Sequence, residues 1–179
     1  MKIVVSGSAG IGKTTLANYI SKGTGYPIIP DFADSVLKEK GYKSFKEVNA
    51  ETSREIRLEA LEKKVNVESI TKEFISDKGV AEYLAYWMTL CMFDSTEEQN
   101  QAFLDITKKH ISTYDLVIIP PFGRFKIEDN EVRSTNKQLQ LRNHMMIKGV
   151  YGEFGITWKE YALDLEKSPK EVVKELGIK

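Results

Sequence analysis

The amino-acid sequence predicts an α/β fold in which helices cover a mostly parallel β-sheet. Short apolar runs rich in β-branched residues alternate with segments of helical periodicity along the whole chain. A chain of 179 residues is long enough to bury one sizeable core. Its sequence contains no internal repeat and no linker rich in Pro, Gly or Ser. We therefore expect one domain over residues 1–179.

The strands are predicted from short apolar runs that are bounded by glycine, proline or charged residues. The first run, Ile-Val-Val-Ser at 3–6, has the composition of a central parallel strand. Further runs follow at 25–30, 73–79, 114–120 and 155–161. The pattern is clearest at 114–120 and weakest at 155–161.

Helical periodicity fills the intervals between these runs. The predicted helices lie at 12–22, 31–41, 46–70, 80–93, 95–112, 135–153 and 168–177. In the longest of them, many Lys and Glu side chains surround an apolar stripe, and we interpret them as its solvated face. Ser95 with Glu98, and Ser168 with Glu171, are expected to form capping boxes at the starts of their helices.

The composition argues against several classes of partner. Lys plus Arg and Asp plus Glu each total 26, so the net charge is zero, which disfavours non-specific binding to nucleic acid or to an anionic membrane. The single cysteine, Cys91, excludes an intramolecular disulfide and is expected in the core. His110 and His144 are expected at the surface. No apolar run reaches the roughly 18 residues of a membrane span, and we expect a cytoplasmic protein without a signal peptide.

A phosphate-binding loop is predicted at 7–14. The sequence GSAGIGKT satisfies G-x-x-x-x-G-K-[ST] between a predicted strand and a predicted helix. Glycines let backbone N–H groups turn onto phosphate oxygens, and the helix adds its positive N-terminus. Lys13 can reach the β- and γ-phosphates, and the Thr14 hydroxyl can ligate Mg²⁺. The alternative is a structural glycine turn. The residues expected to bind the nucleotide are Ser8, Ala9, Gly10, Ile11, Gly12, Lys13, Thr14 and Thr15.

Two acidic residues follow predicted strands. Asp77 follows the strand segment EFIS at 73–76, and Asp31 directly follows the strand at 25–30. In a parallel sheet the carboxyl ends of the strands form the ligand-binding edge. Asp77 could hold Mg²⁺ or orient a substrate hydroxyl, and Asp31 could accept a proton from an attacking hydroxyl. For both, the alternative is a helix N-cap.

The stretch 120–134 combines proline, glycine and mixed charge without periodicity, and predicts a long lid-like loop. Arginines in or just beyond such a loop could neutralise a transferring phosphoryl group. Of these, Arg133 is favoured because it lies near the return to a helix, with Arg124 as a second nucleotide contact and Arg142 further on. Arg54, on the helix at 46–70, could face a substrate phosphate or pair with a glutamate.

Four segments in chain order carry a family resemblance: GSAGIGKTT, YPIIPDFADSVLKEKG, FISDKGVAEYLAYW and YDLVIIPPFGRFKIEDNEVRS. The third resembles a D-R-G-x-x-D-x-x-A-Y pattern, and the last resembles a strand, a Pro-Pro and a D-G-x-R lid. Together they resemble the small P-loop kinase-like family of AAA-type ATP-binding domains that includes the ribosylnicotinamide kinase domain. Deoxynucleoside and thymidylate kinases are more distantly similar.

The resemblance implies a three-layer P-loop kinase-like sandwich with the strand order 2-3-1-4-5. It also implies that Asp31 lies near the substrate hydroxyl, Asp77 near Mg²⁺, and Arg133 in the lid. The sequence departs from the family pattern on the substrate side. The departures are Asp34 and Lys78 in place of arginines, Glu82 in place of an aspartate, and Glu131 in place of the lid glycine. The resemblance therefore does not fix the acceptor.

These residues together predict an ATP- and Mg²⁺-dependent phosphotransferase that acts on a small nucleoside- or nucleotide-like acceptor. Lys13, Asp31, Asp77 and Arg133 are the expected catalytic residues, and Thr14 with Asp77 would place the metal.

Two alternatives stay open. In a nucleoside monophosphate kinase, Arg54 and Lys78 would grip the acceptor phosphate. In an ATPase or nucleotide-binding module, there would be no small-molecule acceptor, and the protein would signal through a partner. The oligomeric state is also open, a homodimer being one option.

Overall fold

A parallel sheet of five strands organises the chain. The computed structural model describes residues 1–124 and 136–178. The strands in this part are β1 (Lys2–Val5), β2 (Ile28–Ile29), β3 (Phe74–Asp77), β4 (Leu116–Ile119) and β5 (Lys159–Glu160). All pairings are parallel and the order is β2-β3-β1-β4-β5. The predicted α/β class and the 2-3-1-4-5 order are confirmed.

The helices alternate with the strands, as the periodicity predicts. They are α1 (Lys13–Thr24), α2 (Ala33–Glu39), α3 (Ala50–Ile70), α4 (Val80–Leu90), α5 (Glu97–Ile111), α6 (Lys137–Glu153) and α7 (Pro169–Leu176). Each predicted helix is present, with bounds that shift by a few residues. None of the helices described is both long and apolar enough to cross a membrane.

The start of α5 differs from the prediction by one residue. Thr96 and Gln99 form its capping box, not Ser95 and Glu98. The hydroxyl of Ser95 instead donates to the carbonyl oxygen of Cys91 at 2.7 Å, because a short 3₁₀ turn follows α4 and moves the helix start along. The capping box predicted for α7 is confirmed.

Helices cover both faces of the sheet and give the three layers that the resemblance implies. Successive strand residues point to opposite faces, so Ile3 and Val5 of β1 pack against α1 and α7, while Val4 packs among α2 to α6. Burial on both faces explains why the central strands are continuously apolar. A single domain over 1–179 stays a prediction.

The last helix packs closely on the helix that follows the predicted phosphate loop. A Cβ atom added at Gly23 of α1 would lie 2.7 Å from the carbonyl oxygen of Pro169 and 2.6 Å from Cγ2 of Val173. Because real Cβ contacts are longer than this, glycine is needed for the approach of α7. The apolar residues of α7 complete the core on this face of the sheet.

The two histidines are buried, so the prediction that they lie at the surface is wrong. His110 and His144 are each 4% exposed. His110 follows Phe103 and Thr107 on the buried face of α5, and a spacing of four and three residues is that of one helical face. For His144, burial and the charge of Lys148 lower the pKa to about 4, which leaves the ring neutral at pH 7. Cys91, in contrast, is buried as predicted.

Candidate active site

The predicted phosphate loop joins the carboxyl end of β1 to α1. Gly7, Gly10 and Gly12 have φ values of 125°, 78° and 89°, a region that L-amino acids with a Cβ rarely adopt. Gly12 is the N-cap of α1 and has no side chain to bond the first N–H groups of the helix. The backbone of 7–14 therefore has the form expected of an anion-binding turn at a helix N-terminus.

Two side chains of this segment have defined partners. The ammonium group of Lys13 donates to the carbonyl oxygen of Ser8 at 2.7 Å. The Oγ1 atom of Thr14 donates to Oδ2 of Asp77 at 2.7 Å. Since β1 pairs with β3 and places Val5 opposite Asp77, the acidic end of β3 lies beside the start of α1. The structure thus brings together Thr14 and Asp77, and it assigns the N-cap of α4 to Gly79 rather than to Asp77.

The other loop residues divide by exposure. Ser8 and Ile11 are buried, whereas Thr15 is exposed at the first turn of α1. The Ile11 side chain packs beneath the loop, with its Cδ1 atom 2.5 Å from the position a Cβ of Gly7 would take. Ile11 can therefore offer only its backbone to a ligand. Ala9, Gly10 and Gly12 are partly exposed.

The buried carboxylate of Glu82, which the sequence shows as a departure from the family pattern, supports the loop from below. Glu82 of α4 accepts a hydrogen bond from the Gly7 amide at 3.0 Å through Oε1. Its Oε2 atom accepts from the Ser6 hydroxyl at 2.7 Å and from the Gly79 amide at 3.0 Å. Burial raises the pKa of Glu82 to about 7, although the nearby charge of Lys13 acts in the opposite direction. Glu82 therefore ties the first turn of the loop to the start of α4.

Asp31 lies at the carboxyl end of β2 and is held by three donors. The ammonium of Lys78 is 2.6 Å from Oδ2, while the Tyr83 hydroxyl donates to Oδ1 at 2.6 Å and the Ala33 amide donates to it at 3.1 Å. Burial raises the pKa of Asp31, but the charge and hydrogen bond of Lys78 outweigh it and hold the pKa well below its usual range. The N-cap of α2 is Phe32 and not Asp31, although Asp31, one residue earlier, accepts the bond from the amide of the first residue of α2.

Lys78 reaches Asp31 from an unusual backbone conformation. Its φ is 80°, and among the described residues it is the one non-glycine residue with a positive φ. A left-handed conformation costs a lysine roughly 1 kcal/mol. The ion pair with Asp31 and the flanking rings of Tyr83 and Tyr86, 5.1 and 5.0 Å from the ammonium, hold the side chain in place. Such a strained residue beside a strand end is a mark of functional sites.

A buried polar cluster lies behind this ion pair. Glu68 of α3 accepts hydrogen bonds from the Ser76 hydroxyl at 2.6 Å and the Tyr114 hydroxyl at 2.8 Å. His110 Nε2 lies 2.7 Å from Oε2 of Glu68, and the ammonium of Lys64 lies 3.4 Å from Oε1. Burial raises the pKa of Glu68, but these partners, His110 first, lower it further than burial raises it.

The cluster fixes the backbone on both sides of the Asp31–Lys78 pair. The Lys64 ammonium donates to the carbonyl oxygen of Pro30 at 2.9 Å, directly before Asp31. The Ser76 hydroxyl lies 3.0 Å from the carbonyl oxygen of Lys78. A fully satisfied buried network of this kind is rigid, so it supports the positions of both members of the pair.

The arginines predicted for the lid fall mostly outside this cluster. Arg124 is exposed, and its guanidinium donates to the carbonyl oxygen of Leu163 at 3.4 Å. Arg142 is exposed on α6. Arg133, Glu131 and most of the predicted lid at 120–134 lie outside the described residues. Arg54 lies on α3, where its Nε atom is buried.

A family model described as an AAA domain matches residues 2–167. A comparison with curated proteins finds no match.

Solved structures with the same fold include several small kinases. The NadR protein in complex with NR has 18% identity and a TM-score of 0.63, over 99% of this chain and 51% of that one. Deoxyadenosine kinase from M. mycoides, with dCMP and dCDP bound, has 17% identity and a TM-score of 0.62, over 99% and 96%. Shikimate kinase from Aquifex aeolicus has 19% identity and a TM-score of 0.50, over 98% and 94%. At these identities the likeness shows the P-loop kinase-like fold, and the chain spans about half the length of the NadR protein.

Proposed function

The chain belongs to the AAA domain family that matches residues 2–167, and from this premise we propose that it is an ATP- and Mg²⁺-dependent phosphotransferase. The acceptor would be a small nucleoside- or nucleotide-like molecule. The observation that carries the proposal is the 2.7 Å hydrogen bond between Thr14 and Asp77. It brings an acidic strand end to the phosphate loop, on the edge of a parallel sheet where ligands bind.

On the nucleotide side, the backbone amides of residues 8–14 and the ammonium of Lys13 would hold the phosphates. Thr14 and Asp77 supply oxygen ligands, which Mg²⁺ prefers, and the ion is commonly held by one or two protein oxygens together with substrate phosphates. When bound, the ion would neutralise charge on the phosphates during transfer. Arg133, with Arg124 as a second contact, would add positive charge near the transferring phosphoryl group.

On the acceptor side, Asp31 would receive the hydroxyl. Because Lys78 and Tyr83 keep the carboxylate ionised, it can always accept a hydrogen bond from an acceptor hydroxyl. A carboxylate with a low pKa is a weak base, so its main contribution would be orientation. The proton would pass to it late, when the new bond to phosphorus makes the hydroxyl acidic.

The rigid support beneath Asp31 favours this reading over the ATPase alternative. A protein that only hydrolyses ATP has no need of a strained lysine, an ionised aspartate and a tyrosine hydroxyl assembled within hydrogen-bond distance of one another. In phosphoryl transfer, by contrast, positioning of the acceptor supplies much of the rate.

An acceptor panel tests the proposal. ADP release from ATP and Mg²⁺ would be measured with nucleosides, ribosylnicotinamide and nucleoside monophosphates, with Lys13→Ala as the inactive control. We expect ADP release that depends on one class of acceptor and is absent in the control. ADP release that is the same with and without every acceptor would support the ATPase alternative instead. ADP release that persists in Lys13→Ala would contradict the role of the phosphate loop.

A further inference from the structure

Glu82 is a fully buried carboxyl group in contact with the first turn of the phosphate loop. Its side chain is 0% exposed. The groups that donate to it are neutral: the Ser6 hydroxyl at 2.7 Å and the amides of Gly7 and Gly79, each at 3.0 Å. Within residues 1–124 and 136–178, no Lys, Arg or His side chain forms an ion pair with Glu82. A buried carboxylate without a paired cation is costly, so the geometry favours a group that regains its proton readily.

The cation that acts most strongly on Glu82 belongs to the phosphate loop. The ammonium of Lys13 donates to the carbonyl oxygen of Ser8 at 2.7 Å. Ser8 directly follows Gly7, whose amide donates to Glu82. Burial raises the pKa of Glu82 to about 7, and the charge of Lys13 is the strongest of the effects that lower it. In the proposed nucleotide site this same ammonium would turn to phosphate oxygens, so Glu82 and a bound polyphosphate would compete for one cation.

We infer that Glu82 is a positioning residue of the phosphate loop and that it takes up a proton when the loop binds a polyphosphate. The inference rests on nucleotide binding by the loop, which is part of the proposed function, and not on phosphoryl transfer. The bound phosphates bring negative charge to the loop whose first amide Glu82 holds, and they draw the charge of Lys13 away from it. Both effects favour the neutral form of the carboxyl group.

The proton changes what Glu82 holds in place. When ionised, Oε2 accepts hydrogen bonds from both the Ser6 hydroxyl and the Gly79 amide. A proton taken from the solvent onto Oε2 makes this atom a donor to the Ser6 oxygen, which can accept as well as donate. Oε1 continues to accept from the Gly7 amide, while the bond to Gly79 weakens. The loop with bound nucleotide is thus tied less strongly to the start of α4.

Other titratable groups face Glu82 or the Gly7 backbone beside it. They are Lys13 of α1, Lys64 of α3, Lys78 of the turn after β3, and Tyr151 and His144 of α6. The three lysines contribute positive charge, and burial raises the pKa of Tyr151 well above its usual value. His144 Nδ1 lies 3.4 Å from the position that a Cβ of Gly7 would take. The pKa of His144 is about 4, so its ring is neutral at pH 7 and is the second group that could gain a proton.

Calorimetric titration with ADP and Mg²⁺ measures the proton. The titration is repeated at pH 7.5 in buffers of different ionisation enthalpy, and the dependence of the binding enthalpy on the buffer gives the number of protons taken up. A tenfold tighter hold on the proton in the complex corresponds to an uptake of about half a proton at this pH. We expect the wild-type protein to take up about this much more than Glu82→Gln, because Gln does not titrate. The ionisation of ADP is the same for both proteins and cancels in the difference.

The affinity for ADP should show the same linkage. Relative to Glu82→Gln, the wild-type protein should lose up to about tenfold in affinity between pH 6 and pH 9, since binding that takes up a proton weakens as the pH rises. A residue that only supports the fold would lower the affinity equally at every pH. Parallel pH profiles of the two proteins would therefore contradict the inference.

Two further variants assign the proton to Glu82. His144→Asn should leave the uptake at the wild-type level, and an uptake that is lost in His144→Asn but kept in Glu82→Gln would overturn the inference. Ser6→Ala removes a hydrogen bond that favours the ionised carboxylate, so its uptake should be largest at a higher pH than in the wild-type protein. Where circular dichroism shows that Glu82→Gln is unfolded, Ser6→Ala decides, and an unchanged pH of largest uptake would contradict the inference.

Failure of this inference and failure of the proposed function give different results. ADP binding with equal proton uptake in the wild-type protein and Glu82→Gln would overturn the inference and leave nucleotide binding intact. The absence of ADP binding at every pH would overturn nucleotide binding by the phosphate loop, and the inference with it. Acceptor-independent ADP release would change only the proposed transfer, because the proton is measured with ADP and without an acceptor.

Discussion

The two halves of the candidate site are built from different parts of the chain. The phosphate loop is a run of backbone amides set by three glycines with positive φ and by the start of α1. The region around Asp31 is built from side chains of β2, α3, α4 and the turn after β3. A loop of this kind would accept any polyphosphate, because backbone N–H groups recognise the charge of a ligand and not its identity. Recognition by the second half depends on which side chains contact one another. This is the half in which the sequence departs from the family pattern.

The largest effect is expected from Lys13→Ala, which should disable the nucleotide half alone. Removal of a cation that meets the transferring phosphoryl group should lower turnover by about 10³-fold. ADP release and calorimetric binding of AMP-PNP measure this effect. Unchanged turnover and unchanged affinity for AMP-PNP would contradict the role of the phosphate loop.

Asp31→Asn should disable the acceptor half in turn. Loss of the carboxylate that orients the hydroxyl should lower acceptor phosphorylation by about 10²- to 10³-fold. The affinity for AMP-PNP should stay within about twofold, since Asp31 is not part of the phosphate loop. Tyr83→Phe is the milder companion, because it removes one hydrogen bond to Asp31 and keeps the charge. Full phosphorylation by Asp31→Asn would exclude its role.

Glu82→Gln should change how the free energy of unfolding depends on pH, because Glu82 ties the phosphate loop to the start of α4. Burial raises the pKa of Glu82 from 4.5 to about 7, so the folded protein binds a proton more tightly than the unfolded chain does. The contribution of Glu82 to the free energy of unfolding is therefore complete below pH 4.5 and is lost as the pH rises to about 7 and above. A shift of this size corresponds to about 3 kcal/mol.

Urea unfolding of both proteins between pH 4 and pH 8 measures this effect. The difference between the two pH profiles isolates Glu82 from the other titrating groups, because Gln does not titrate. We expect the wild-type protein to lose stability relative to Glu82→Gln over this range. Parallel profiles would show that Glu82 titrates alike in the folded and unfolded states.

The smallest effect is expected from substitutions of Lys78, where Lys78→Gly and Lys78→Ala should differ in stability. Both substitutions remove a partly exposed ion pair, which is worth at most about 1 kcal/mol. Only Gly relieves the left-handed backbone, so Lys78→Gly should be about 1 kcal/mol more stable than Lys78→Ala. In both variants the pKa of Asp31 should rise, because the lowering effect of Lys78 is gone. Denaturant unfolding and the acid limb of the pH–rate profile measure the two effects. Equal stability of the two variants would mean that φ at this position adapts.

The sequence predicts the nucleotide half well because its determinants are local. The spacing of the glycines and the flanking strand and helix lie within one short segment, so the periodicity and the motif together suffice. The sequence also predicts Asp31 and Asp77 from their places at strand ends, because the carboxyl ends of parallel strands meet at one edge. Their roles in chemistry stay predictions.

The side chains that support the acceptor half could not be predicted in this way. Glu68 and Lys64 are charged residues on α3, and the usual expectation for such residues is a solvated face. Their burial depends on packing between segments far apart in the chain, such as the contact between Glu68 and His110. Among these residues, only His110 has a local pattern that indicates burial, because its spacing continues the buried face of α5.

Because α7 packs closely on α1, the folded unit extends beyond the last residue that the family model matches. The family match ends at residue 167, whereas α7 begins at Pro169 and packs on the apolar face of α1. A shortened protein ending at the family boundary would keep every residue of the phosphate loop. It would nevertheless expose the apolar face of α1, the helix that begins with Lys13 and Thr14. We expect its nucleotide affinity to fall, because the helix that carries these residues would no longer be held rigidly.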